Sequence, residues 1–343
     1  MVTVNKRTLA LSPAFALLFT VVFVCDVRAQ RTAAQRPRTN ASNILNTLPA
    51  SDAVIFVDVR RLLNEAIPGV FAAEPAKLAQ ANTQIDNFKT KTGIDPRSFD
   101  RLAVGLRYTY PAPGVTKVES VAIARGTFNA GSVVAAGRLA ANGKFQEQKY
   151  KGATIYVFSL NQQIRLFGLF NLRVSDLAVS ILDANTVAMG SPLSVRGAID
   201  AGKIGKRASS ELIALAMSDP NAIIGFGGNV SPALLQNLNF GNDMLAKDIS
   251  SIRQVYGSVG SSAASFSVSL VARTFNPAQA QSLSDTVTGL KQLGGLFVGR
   301  LPDAKRKLAQ SALDNLKIAT QGNELRIRID VSQADVASVI KTP

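Results

Sequence analysis

One strand-to-helix step occurs twice in this chain, and it constrains the fold more than any other feature. The first copy is Ala124-Arg125-Gly126-Thr127-Phe128-Asn129-Ala130; the second, Ala272-Arg273-Thr274-Phe275-Asn276-Pro277-Ala278, lacks the extra glycine. Before the second copy, Phe266, Val268 and Leu270 alternate with Ser265, Ser267 and Ser269, the period of a strand with one buried face. Asn276 has the short polar side chain of an N-cap. Pro277 takes the first helical position, where its missing N–H costs nothing.

The same order of elements surrounds each copy. A short apolar strand over residues 53–57 leads to a helix over 60–66, and a strand over 222–226 leads to a helix from Ser231-Pro232. Hairpins follow over 101–125, turning at Pro111-Ala112-Pro113-Gly114, and over 252–273. After the shared step each half has a helix, then a hairpin turning at Asp183-Ala184-Asn185 or at Gln321-Gly322-Asn323, then a last helix. The reading is an α+β fold of two similar units, 47–207 and 208–343. Each would be a mainly antiparallel sheet with helices on one face, of split β-α-β, ferredoxin-like character.

Residues 1–29 read as an export signal. Lys6 and Arg7 precede an apolar run from Leu9 to Val24, and Val27-Arg28-Ala29 offers small residues for cleavage before Gln30. The run is shorter than a membrane span of about 20 apolar residues. Val24 before Cys25 argues against a lipid-anchored cysteine. Cleavage removes Lys6, Arg7, Arg28 and Asp26, so the formal charge falls from +15 to +13. The expected location is periplasmic or secreted, with no transmembrane span in the mature chain. Residues 30–46, polar and basic, are expected to form a flexible arm.

Composition excludes much chemistry. The chain has no His and no Trp, and its one Cys lies in the signal. A Ser-His-Asp triad, a thiol nucleophile and a His/Cys zinc site are therefore out of reach. No cofactor and no metal is expected. Ser338-Val339-Ile340-Lys341 is the one Ser-x-x-Lys match, near the end of the chain. Gly225-Phe226-Gly227-Gly228-Asn229-Val230 has Val where a dinucleotide loop has its third Gly, and reads as a strand end eased by glycine. Asp52, Asp58, Glu119, Asp183 and Asp330 are scattered, and nothing in the sequence pairs them as glycosidase acids.

Two sets of contact residues remain. Arg326 and Arg328 alternate with Leu325, Ile327 and Ile329, so both should leave the solvent face of one strand; Arg101 and Arg107, with Tyr108 and Tyr110, form a second basic group. These four arginines are candidate anion contacts. Between Ser159 and Leu177 lies an apolar segment, 164–172, with no second copy. It reads as core, a further strand or a plug between the units; as an exposed loop it would offer Phe167, Leu169 and Phe170 as apolar contacts.

Leu48-Pro49-Ala50-Ser51-Asp52-Ala53-Val54 and Ala184-Asn185-Thr186-Val187-Ala188-Met189-Gly190 resemble segments of uncharacterised exported bacterial proteins with a duplicated α+β unit. The resemblance implies export and a repeated fold, and no activity. The functional expectation is a non-catalytic protein that binds an anionic envelope polymer, a lipid surface or another protein through a cleft between its units; nucleic acid is disfavoured by export. The alternative is a carboxylate-dependent hydrolase acting on an envelope polymer.

Overall fold

The computed structural model describes residues 44–339, except 113–114, 167–169, 204, 237–242 and 263–264. The export signal lies outside the described residues. Twelve strands form one antiparallel sheet, in the order β11-β12-β10-β9-β8-β1-β2-β3-β7-β6-β5-β4.

β1 (Ala53–Asp58) leads into a helical run, Val59–Arg61, Leu62–Ala66 and Ile67–Val70. The middle turn is π-helical. Pro68 cannot donate to Asn64, which fits a local widening of the helix at that point. α1 (Pro75–Thr92) follows, with a proline in its first turn and Gly93 as a left-handed C-cap, φ 70°. Those start and stop signals were present in the sequence. β2 (Phe99–Ala112) and β3 (Val115–Gly126) form the expected hairpin, and α2 (Ala130–Ala140) is capped by Asn129. β4 (Phe145–Tyr150), β5 (Ala153–Leu166), β6 (Phe170–Asp183) and β7 (Thr186–Gly190) complete this side of the sheet, followed by α3 (Pro192–Ala201) and α4 (Ser210–Ala216).

The second half runs β8 (Ala222–Asn229), α5 (Pro232–Gln236), α6 (Asp243–Ser250), β9 (Ile252–Ser261) and β10 (Ser265–Thr274). Then come α7 (Pro277–Val298), α8 (Asp303–Asp314), β11 (Lys317–Gln321), β12 (Glu324–Ser332) and α9 (Gln333–Val339). Asn276 caps α7 as expected, accepting from Gln279 N–H.

The repeated step has the same hydrogen bonds in both places. Gly126 N–H donates to Asn185 O and Asn185 Nδ2 donates back to Gly126 O, at 3.1 and 3.0 Å. Thr274 and Asn323 make the same pair at 2.8 and 2.9 Å. Each hairpin turn thus fastens the end of the strand that opens the helix. The last helices differ: α3 lies on one face of the sheet, while α9 packs with Val70, Phe71 and Phe266 on the other.

Three expectations are corrected. The halves are not separated by a cleft, because β1 pairs with β8 from Ala53↔Gly228 to Val57↔Ile224 and joins them into one sheet. Arg61 Nη1 adds a bond of 3.0 Å to Asn221 O across the junction. Helices also cover both faces of the first half. α2 and the early helical run pack on Val104, Leu177 and Val179, and α3 and α4 pack on Val54, Ala103, Ile123 and Ala188. A central strand with apolar residues on both sides needs two covers. The arm is also shorter than expected, since Ile44 and Leu45 are 2% and 0% exposed and belong to the core under α3 and α4.

Candidate functional site

The four arginines chosen from sequence do not meet. Arg326 and Arg328 are exposed on β12, on the same face of the sheet as α3 and α4 but beyond the part those helices cover. Arg107 is exposed opposite Glu119, and Arg101 is half-buried opposite Asp58 and Arg125. At ~3.4 Å per residue Arg101 and Arg107 lie roughly 20 Å apart along β2. Five strand steps separate β2 from β12, which is on the order of 24 Å.

Arg326 and Arg328 are also engaged. Arg326 Nη2 donates to Glu324 Oε2 at 2.8 Å, and Arg328 Nε and Nη2 donate to the two oxygens of Asp330 at 3.2 and 3.1 Å. The Asp330 hydrogen bond holds the Arg328 pKa above its ordinary value. Glu324 is the hub of a further network. Tyr256 Oη, Arg273 Nε and Arg273 Nη2 all donate to its Oε1, at 3.0, 3.1 and 3.0 Å. Burial pushes the Glu324 carboxyl up, but hydrogen bonds from Arg326, Arg273 and Tyr256 outweigh it and bring the pKa below the usual glutamate value. The result is a nearly neutral surface, with each of these carboxylates held by a cation.

The apolar segment 164–172 is a hairpin end. Ile164 pairs with Leu172 and Leu166 with Phe170 across β5 and β6. Phe167 and Leu169 lie outside the described residues, as does the Phe170 side chain.

The carboxylates considered for hydrolysis have structural partners. Asp52 accepts Tyr108 N–H at 2.8 Å, Asp58 caps the first helical run, and Asp183 accepts Asn185 N–H at 2.8 Å. Glu119 pairs with Lys117 and Asp330 with Arg328. Among the described residues no group of three or more His, Cys, Asp or Glu could hold a metal. Lys341 lies outside the described residues. The glycine-rich stretch lies within β8 and makes no phosphate loop. A Cβ at Gly225 would lie 2.0 Å from Ala216 O, and one at Gly227 would lie 2.9 Å from Leu215 Cβ. These glycines let α4 sit directly on the sheet.

The surface that stands out is the corner formed by α7 and α8, which the sequence reading did not single out. The first half of α7 is seated on the sheet through Ala280 and Leu283, near Ala272 and Leu325. Beyond Thr288 the helix turns its leucines and Phe297 outward, while Val298 at its end stays buried. Leu290, Leu293, Leu296 and Phe297 are 50%, 54%, 72% and 60% exposed, and Leu301 after the helix is 37% exposed. Five of the ten exposed large apolar residues of the described chain fall in these twelve positions. At 100° per residue the four helical ones fill an arc of ~120°, the width of an amphipathic stripe.

The charge beside this stripe is one-sided. Residues 291–314 carry five Lys or Arg and two Asp, with no acid between Thr286 and Pro302. Arg300 lies over the Phe297 ring at 5.7 Å. Lys291 Nζ donates to Leu316 O at 2.8 Å and pins the helical hairpin to the start of β11. Lys305 and Lys307 are exposed on α8; Lys307 Nζ comes within 3.9 Å of Asp335 Oδ1 at its exposed end, and Arg306 pairs with Asp303. An open groove of about 600 Å³ runs along α8 between Arg306, Lys307, Asp314 and Asp335. The signal for this corner was legible as leucines at helical spacing followed by Lys305-Arg306-Lys307. Sequence alone does not say which arc of α7 the sheet covers.

Among the described residues no helix is long and apolar enough to cross a membrane, which says nothing of strands. No protein-family model matches the chain, and no curated protein matches it. Among solved structures the chain is similar to TP0453, a Treponema protein. Crystal form III aligns at TM-score 0.44 and 12% identity over 90% of this chain and 98% of that one. Form IV aligns at 0.43 and 12% over 86% and 95%, and form I at 0.41 and 11% over the same shares.

Proposed function

We propose that this chain is a non-catalytic exported protein that binds an anionic component of the cell envelope, and that it binds through the α7–α8 corner. One observation carries the reading: a cluster of exposed large apolar residues stands beside an excess of basic ones, with no acid between Thr286 and Pro302. A contiguous apolar patch on a water-facing surface is a mark of an interaction site. Arg326 and Arg328 are weaker candidates, because Glu324 and Asp330 already neutralise them.

Export rests on residues 1–29 and cleavage near Ala29, and places the mature chain in the periplasm or outside the cell. The hydrolase alternative has less support, since the acids it would use are committed to caps, turns and ion pairs. The two halves are copies of one α+β unit in this reading. The matched hydrogen bonds of Asn185 and Asn323 support it.

The test is binding of residues 30–343 to a soluble anionic polymer, dextran sulfate, at low and high salt. Binding should fade as salt rises, by screening. Lys305→Gln/Lys307→Gln should weaken it several-fold, and Arg326→Gln/Arg328→Gln should leave it nearly unchanged. The opposite ranking would move the site to the β12 face.

A further inference from the structure

Resting on that reading, we propose that the component is a lipid bilayer with anionic headgroups, and that the second half of α7 lies in the plane of its interface. Leu290 to Leu301 spans only ~16 Å at 1.5 Å per residue, too short for the ~30 Å hydrocarbon core. A helix of this kind with an apolar arc and basic flanks lies at the boundary of headgroups and acyl chains. Leu293, Leu296 and Phe297 would enter the acyl boundary. Arg300, Lys305 and Lys307 would remain among the headgroups.

The surroundings of α7 fit a fluid partner better than a shaped one. A Cβ at Gly289, Gly295 or Gly299 would meet nothing within 4 Å, so at these three positions the helix borders open space. A soluble polyanion would be served by the basic residues alone and gives the exposed leucines no role. A bilayer uses both, because apolar burial and charge attraction add at its surface.

The absence of tryptophan supplies the probe. Phe297→Trp places a single reporter on the stripe, at a 60% exposed position. With phosphatidylglycerol vesicles its emission should shift to the blue and be quenched by brominated acyl chains. With phosphatidylcholine vesicles binding should be at least tenfold weaker. Leu293→Ser/Leu296→Ser should weaken phosphatidylglycerol binding by roughly tenfold or more, by removing two buried apolar side chains, while circular dichroism and the thermal midpoint stay unchanged. Dextran sulfate binding without any vesicle shift overturns the bilayer assignment and leaves the anionic-component reading standing. Loss of both overturns the two together. Vesicle binding indifferent to the double variant overturns the role of α7.

Discussion

Glu324→Gln tests whether the polar face of the second half is held by charge. Glu324 is 8% exposed and its side chain accepts from Tyr256, Arg273 and Arg326. A charge-assisted hydrogen bond contributes about 1.5–3 kcal/mol and a neutral one about 0.5–1.5. Glutamine keeps an acceptor for Tyr256 and Arg273 but presents an N–H₂ to Arg326. The Arg326 side chain is 49% exposed and can turn to water, so its share is small. Arg273, 24% exposed and bound to Glu324 through Nε and Nη2, cannot escape so cheaply. The expected cost is about 2–3 kcal/mol at pH 7, or a midpoint roughly 4–8 °C lower.

The pH dependence fixes the sign. The Glu324 pKa is lower in the folded chain than the ordinary glutamate value of 4.5. Its contribution is therefore fully present above that unfolded value and is lost as pH falls through the folded one. Urea unfolding of both proteins from pH 7 down to about pH 3.5 should show the gap between them narrowing over the acid range. An equal gap at every pH, or one below about 0.5 kcal/mol at pH 7, would refute charge as the basis of this network.

Three further substitutions probe the fold. Gly225→Ala forces a Cβ against Ala216 O and should cost roughly 3 kcal/mol or more in chemical unfolding, because backbone cannot swing aside. Gly289→Ala meets open space inside α7 and should stabilise by about 0.5–1 kcal/mol; no change would show that this part of the helix is not formed in solution. Leu45→Ala should cost about 2–5 kcal/mol, since Leu45 is fully buried under α3 and α4, whereas a value near zero would return this stretch to the flexible arm.

Local signals carried much of the fold. Asn276 with Pro277, Asn129 and Ser191 mark helix starts because a capping side chain acts within three residues. The alternation through β10 and β12 marks strands because it needs only one buried face. The helix α1 was as legible, in Pro75 and Gly93, and the β4–β5 turn in Lys151-Gly152, both at positive φ. The solvent exposure of Arg326 and Arg328 followed from alternation. Their neutralisation by Glu324 and Asp330 was also near at hand, two residues away on the same strand and therefore on the same face.

The chain by itself determined the elements around the repeated step, that step and the exclusion of His and Cys chemistry, since each depends on residue type or on neighbours a few positions apart. Tertiary structure decided what depends on who covers whom. Gly225 and Gly227 became a seat for α4 only because that helix reaches them. The halves became one sheet only through the pairing of β1 with β8. The leucines of α7 became a candidate site only because the sheet ends its contact with that helix near Val287, leaving an apolar arc that the pattern alone would assign to a core.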